Sequence, residues 1–217
     1  MFVVLFGPPG AGKGTQASLV SETLEIPHVS TGDIFRFHIK NNTALGQKVK
    51  GILASGELVS DQIVFEVLVT RLVEEDAKNG VLLDGYPRTV TQVELLQDWL
   101  TENKKAFGGV LDINVSAQEV ESRLTGRRSC LNCGETYHMR FKPPGENGEC
   151  LKCDSKVIQR DDDKPEVVKD RIRVYEDQTV PVLNALRKVC DVIDIDGEGS
   201  INVISSRVRE QLSQWKH

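Results

Sequence analysis

A lysine set among glycines is the first group on this chain whose surroundings suggest chemistry. Gly7-Pro8-Pro9-Gly10-Ala11-Gly12-Lys13-Gly14-Thr15 follows directly on the apolar run Phe2-Val3-Val4-Leu5-Phe6. Glycines let the backbone curl until several N–H groups face one anion, a following helix adds the positive end of its dipole, and Lys13 reaches the outer phosphates. The pattern points to a nucleotide whose phosphates sit near residues 7 to 15. A plain glycine-rich turn would explain the glycines, but not the lysine, the strand before it and the helix start after it. In the general form of such loops Ser or Thr follows the lysine at once; here Gly14 intervenes and the hydroxyl comes at Thr15.

The second constellation is Leu82-Leu83-Asp84-Gly85-Tyr86-Pro87-Arg88-Thr89. Asp84 ends an apolar run as the acidic partner of a phosphate loop does, where it meets Mg²⁺ or its waters, and Arg88 beyond the turn can fork onto a phosphate. A turn aspartate and a solvated arginine would be the alternative, and the phosphate loop argues against it.

The third is Cys130-x-x-Cys133, sixteen residues, then Cys150-x-x-Cys153. Two such knuckles are a four-thiolate zinc signal. A tetrahedral ZnS₄ centre has no open position for substrate or water, so the metal is expected to be structural, holding a segment too small and polar to build its own core. Two disulfides, or a zinc ribbon for nucleic acid, are the other readings of the same spacing. Cys190, in Val189-Cys190-Asp191-Val192, reads as a small buried hydrophobe. His138 reads as a packing residue rather than an acid or base, and His28 and His38 receive no role.

Those groups need a frame. Apolar runs at 2 to 6, 81 to 83, 110 to 115 and 189 to 195, with a short candidate at 26 to 30, alternate with helical patterns at 61 to 78, 89 to 104 and 116 to 125. Strands alternating with helices imply a three-layer α/β fold on a parallel sheet of about five strands, with ligands beyond the strands' carboxyl ends. Two segments break the rhythm. Residues 30 to 60 read as short helices with turns at Gly46, Gly51 and Gly56, and residues 127 to 163 lack helical periodicity. Val203, Ile204, Val208, Leu212 and Trp215 fit an amphipathic final helix. Asp161-Asp162-Asp163 is read two ways: as a hinge, or as an acidic helix start in which Asp163 and Glu166 form a cap.

With 217 residues the chain has room for one sizeable core with insertions. No apolar stretch approaches the roughly 20 residues of a membrane span, and the chain enters a strand without a basic leader, so a cytoplasmic protein is expected. A net charge of -5 argues against general nucleic-acid binding.

Taken together, Gly-x-x-Gly-x-Gly-Lys-Gly-Thr at 7 to 15, Thr31-Gly32-Asp33-x-x-Arg36 and Asp84-Gly85-Tyr86-Pro87-Arg88 closely resemble the adenylate kinases. The resemblance covers essentially the whole chain, including Leu124-Thr125-Gly126-Arg127-Arg128 and Thr136-Tyr137-His138, and the displaced hydroxyl at Thr15 is usual in that family. It implies reversible phosphoryl transfer from MgATP to AMP, giving two ADP, by a monomer of the zinc-containing long-lid type. It also implies a division into a core (1–29, 60–126 and 164–217), an AMP-binding segment (30–59) and a lid (127–163).

Carried over by position, the ATP side comprises Gly10, Ala11, Gly12, Lys13, Gly14, Thr15, Arg127, Thr136, Tyr137 and Gly199. The AMP side comprises Thr31, Arg36, Glu57, Leu58, Val59, Gly85, Arg88, Gln92, Arg160 and Arg171. Lys13, Arg123 and Arg127 are expected to face ATP phosphates, Arg36 and Arg88 the AMP phosphate, and Arg160 and Arg171 the transferred group or AMP. Asp33 and Asp84 would organise Mg²⁺ through water, and Arg128 has no clear role. The physics agrees: phosphoryl transfer asks a protein to position two anions and neutralise charge, hence for many cations and no covalent nucleophile. A related kinase with another acceptor or with GTP as donor, and a non-catalytic nucleotide or zinc-ribbon protein, are the rival readings.

Overall fold

The computed structural model describes residues 1–213 and 215. In chain order its strands are β1 (Phe2–Phe6), β2 (His28–Ser30), β3 (Val81–Asp84), β4 (Phe107–Asn114), β5 (Arg127–Cys130), β6 (Thr136–His138), β7 (Val157–Ile158) and β8 (Val192–Asp196). The helices are α1 (Lys13–Leu24), α2 (Thr31–Lys40), α3 (Ala44–Ala54), α4 (Asp61–Leu72), α5 (Val90–Glu102), α6 (Ala117–Gly126), α7 (Pro165–Val174), α8 (Val180–Leu186) and α9 (Ile201–Ser213).

Among the described residues the main sheet has five strands, all parallel, in the order β2-β3-β1-β4-β8. β1 lies at its centre with every residue buried. Alternation along the strands builds both layers of the core. Phe2, Val4, Phe6, Val81, Leu83 and Val110 pack on one side with Leu68, Leu96 and Leu186, while Val3, Leu5, Leu82, Leu111 and Ile113 pack on the other with Val20, Ile204 and Val208. A parallel sheet covered on both faces demands such apolar strands, so the fold class expected from the sequence is the one observed.

Boundaries moved where turns intervene. The helix expected over 61 to 78 ends at Leu72 and is followed by a 3₁₀ turn at Glu75–Ala77. β4 begins at Phe107, ahead of residue 110, and β8 begins at Val192 because Val189 and Cys190 still donate to the Leu186 carbonyl at the end of α8. Gly46 and Gly51 do not mark turns; both lie inside α3, and only Gly56 ends it. The reason for Gly46 is tertiary. A Cβ there would stand 2.2 Å from the His38 carbonyl oxygen, so glycine lets α3 press against α2. Residues 127 to 163 fold as a small antiparallel sheet, β6-β5-β7, over a cluster of Cys130, Tyr137, Cys150, Cys153 and Val157.

Candidate active site

The sheet's register determines what surrounds the phosphate loop. Leu5 pairs with Asp84 on β3 and Phe6 with Asp112 on β4, so the chain leaves the middle of the carboxyl edge with Asp84 beside it. Gly7 has φ +131°, and a Cβ on it would meet the Ile113 carbonyl oxygen at 2.4 Å; only glycine can leave the sheet so close to β4. The loop turns back through the Ala11 N–H, which donates to Pro8 O at 3.1 Å, and enters α1 behind Gly12. With no side chain capping it, the first turn of α1 presents its amides and dipole to an anion in the loop.

Lys13 Nζ lies across the loop and donates to the carbonyls of Gly7 and Pro8, both at 2.8 Å. Burial pushes its pKa down to about 8; Asp84 opposes the shift, while Arg88, Arg171 and Arg127 add to it. Asp84 has the converse balance. Burial disfavours its charge, but a contact from His28 Nε2 at 3.3 Å and the field of Lys13 hold it below the usual carboxylate range. His28, given no role from sequence, sits on the neighbouring strand β2 and reaches Asp84 across 56 positions of chain.

The turn after β3 carries Arg88, and the protein braces it on every side. Its N–H donates to Gln92 Oε1 at 2.7 Å, its Nε to Gly85 O at 2.8 Å, and its carbonyl accepts from Thr179 Oγ1 at 3.0 Å. Thr31 at the start of α2 donates to the same Gly85 carbonyl at 2.9 Å, which ties the AMP-assigned segment to this turn. Gln92 is buried, and its amide nitrogen donates to Asp61 Oδ1 at 2.8 Å, so both ends of the amide are engaged by the protein.

Four more arginines face this turn from the insertions and α7. Arg127, at the start of β5, grips Asp163 with two hydrogen bonds, and Arg171 on α7 bonds Asp163 at 2.9 Å and Asp162 at 2.9 Å. Arg160 donates to Ser129 Oγ at 2.7 Å, and Arg36 bonds Asp33 within α2. Burial and the facing guanidinium groups push Arg88 down to about 10 and Arg160 to about 9. Both remain cations at neutral pH. Burial also works against the charges on Asp33 and Asp162, but Arg36 and Arg171 respectively outweigh it and lower both. Lys13, Arg36, Arg88, Arg127, Arg160 and Arg171 thus converge around Asp84, Asp33 and the Asp162–Asp163 pair.

Other assigned residues stand apart from that cluster. Arg123 does not face it: its guanidinium bonds Glu119 and the carbonyls of Ala11 at 3.3 Å and Gly197 at 2.9 Å, which lays it between the phosphate loop and the β8–α9 loop that contains Gly199. The Tyr137 side chain is interior to the lid, its hydroxyl accepting from Leu151 N and touching Cys150 Sγ, so only its backbone can meet a nucleotide; Thr136 is exposed on β6. Glu57 is exposed and Val59 buried beyond α3, where a Cβ on Gly56 would strike the Arg171 stem. Arg128 bonds the carbonyls of Thr125 and Arg127 and braces the junction of α6 and β5. The capping role for Asp163 is overturned: its carboxylate is taken by arginines, and Lys164 stands at the helix cap with Pro165 behind it.

The two insertions meet directly, Lys40 Nζ donating to Asn132 O at 2.9 Å. Asn132 lies in the first zinc knuckle. The sulfurs of Cys130, Cys133, Cys150 and Cys153 all lie within 4.8 Å of one another, with Cys130–Cys153 at 3.5 Å and Cys133–Cys150 at 3.6 Å. Zinc with Zn–S bonds of about 2.3 Å sets its sulfurs ~3.8 Å apart, so the set fits. Backbone N–H groups of Asn132 and Lys152 point at Cys130 and Cys150 Sγ, as suits thiolates. When bound, the metal would crosslink the lid.

The family model for adenylate kinase matches residues 5–190. Curated relatives named adenylate kinase include those of Finegoldia magna, 47% identical over 99% of this chain and 100% of its own, and Methanocella arvoryzae, 47% identical over 98% of each. One from Clostridium perfringens is 47% identical over the full length of both chains. The phosphate loop on β1, the acidic end of β3 and the converging cations are therefore found on a chain that belongs to the adenylate kinase family.

Proposed function

We propose that this chain is an ATP:AMP phosphotransferase, moving the terminal phosphoryl group of MgATP reversibly to AMP and so serving adenine-nucleotide balance. The observation that carries the reading is the convergence of Lys13, Arg36, Arg88, Arg127, Arg160 and Arg171 from separate elements on one region beside the phosphate loop. Six cations there match the triphosphate of ATP, the monophosphate of AMP and the charge that spreads over a phosphoryl group in transit.

Residues 1–29, 60–126 and 164–217 act as the core, 30–59 as the AMP-binding segment and 127–163 as the lid. The loop amides from Gly10 to Thr15 and Lys13 hold the ATP phosphates, with Arg123 and Gly199 bordering the nucleoside end and the backbone at 136–137 closing from the lid. Arg36 and Arg88 hold the AMP phosphate. Thr31, residues 57–59, Gly85 and Gln92 surround its nucleoside, and Arg127, Arg160 and Arg171 bracket the group in transit. Asp84, which lies ionised beside Gly14, and Asp33 would receive the waters of the substrate's magnesium. No general base is needed, because the attacking phosphate oxygen already bears charge. Closing the lid excludes water, the competing acceptor.

No described helix is long and apolar enough to cross a membrane. The enzyme is read as a monomer working in the cytoplasm. A coupled assay pairing ATP or GTP with AMP, CMP, UMP or GMP tests the assignment. Turnover is expected with ATP and AMP at least a hundredfold above the other pairs; a preference for another acceptor would replace the reading with a sister nucleotide kinase.

A further inference from the structure

Between α7 and α8 the helix opens into a π turn over Tyr175–Thr179. Its cause is local. Pro181 has no N–H to donate and its ring crowds the carbonyl four residues back, that of Asp177, so the coil admits one extra residue. The turn brings Thr179 to face the loop of Arg88. A threonine in an ordinary helix returns its hydroxyl to a carbonyl of its own preceding turn; Thr179, buried, donates instead to the carbonyl of Arg88, 91 positions away, at 3.0 Å.

That bond completes a clamp. Gln92 fixes the N–H of Arg88, Gly85 receives its Nε, and Thr179 fixes its carbonyl. The first two partners belong to the loop of Arg88 or the helix behind it and move with it. Thr179 alone of the three comes from elsewhere, on a helical rod whose earlier part, α7, carries Arg171. One rod therefore presents Arg171 directly and holds Arg88 through Thr179. Resting on the assignment of Arg88 to the acceptor phosphate, we propose that Thr179 is a positioning residue. Its hydroxyl sets Arg88 in register with Arg171, and this determines how tightly the enzyme holds the phosphate of a nucleoside monophosphate.

The experiment measures binding of AMP and of adenosine by calorimetry, with KM for AMP and for ATP, in the full-length enzyme and five variants. Thr179→Val keeps the shape and removes the hydroxyl; Thr179→Ala and Thr179→Ser lose the same methyl and differ only in the hydroxyl. Val and Ala are expected to weaken AMP about tenfold, leave adenosine and KM for ATP within twofold, and lower kcat; Ser is expected to recover most of the loss. In Arg88→Lys the acceptor weakens too, and adding Thr179→Val to it produces less than the product of the single effects. Equal losses for AMP and ATP, an equal loss for adenosine, or failure of Ser to exceed Ala would overturn the inference in favour of plain packing. If Thr179→Val does not fold, the Ser and Ala pair decides the matter alone. Normal AMP binding in Arg88→Lys would instead refute the assignment of Arg88, a result distinguishable from failure of Thr179 alone.

Discussion

Arg127 and Asp163 form a two-pronged ion pair, Nε to Oδ2 at 2.7 Å and Nη2 to Oδ1 at 2.5 Å, around a carboxylate with no solvent exposure. Arg171 shares the same Oδ1 at 2.9 Å. One buried anion thus ties the strand entering the lid to the helix leaving it. Removing one partner of a buried pair leaves uncompensated charge, at a cost of about 3 kcal/mol. Asp163→Asn is expected to lower Tm by roughly 6–12 °C for a chain of this size. Asp161→Asn, which touches only an exposed pair with Lys164, serves as the comparison and is expected to shift Tm by about 2 °C or less. Equal shifts in a calorimetric scan would refute the central place given to Asp163.

Lys13 links catalysis to pH. In the free protein burial brings it down to about 8, whereas bound phosphates would raise it. The value of kcat/KM for ATP should be level below about pH 7.5 and fall about tenfold per pH unit above 8, while kcat stays level to higher pH. The sign for stability is opposite to that of a stabilised lysine. The buried charge destabilises the fold below pH 8, and the penalty is relieved as pH rises from about 8 towards 10.5. Lys13→Met should lose turnover by orders of magnitude yet melt no lower than the parent at pH 7, its advantage shrinking above pH 8. Near-normal turnover in this variant would rule out the site assignment.

Asp112 is buried on β4 with no partner for its Oδ1 among the described residues, and burial together with Asp194 raises its pKa to about 6. Its ionised form destabilises the fold, fully so above pH 6 and not at all below about pH 4. Asp112→Asn should raise Tm by several degrees at pH 8, corresponding to at most about 3 kcal/mol, and the difference should close near pH 4. A gain independent of pH would point to packing instead.

Chelating the lid metal removes the crosslink that substitutes for a core in residues 127–163. Under reducing conditions Tm should fall by ten degrees or more, while the specific activity of the protein still folded at 25 °C changes less than threefold. An unchanged melting curve on metal removal would exclude a structural role.

How much of this could be read from the chain depended on how local each signal was. The phosphate loop, Asp84, Arg88 and the cysteine knuckles are short motifs whose spacing survives folding, and each lies where its spacing implied. The order β2-β3-β1-β4-β8 was legible only as a parallel sheet, since pairing partners such as Leu5 and Leu111 lie as many as 106 positions apart. Gly46 misled because a helix–helix approach and a turn demand the same residue. His28, Ser129 and Thr179 carried no pattern at all: each acts through a partner on another element, 56, 31 and 91 positions away. Only the Pro181 beside Thr179 could have hinted at an irregular helix there. Arg123 was grouped with the phosphate ligands by its position in the family pattern, and the carbonyl oxygens it meets, on Ala11 and Gly197, were invisible in sequence.

The bond from Lys40 to Asn132 joins two exposed groups across the insertions and is worth at most about 1 kcal/mol, a factor of about five between touching and separated arrangements. Such a clasp can time the meeting of lid and acceptor segment but cannot power it. The work of drawing mutually repelling guanidinium groups together falls to the phosphates themselves, so the fuel for closing this enzyme is the charge of its own substrates.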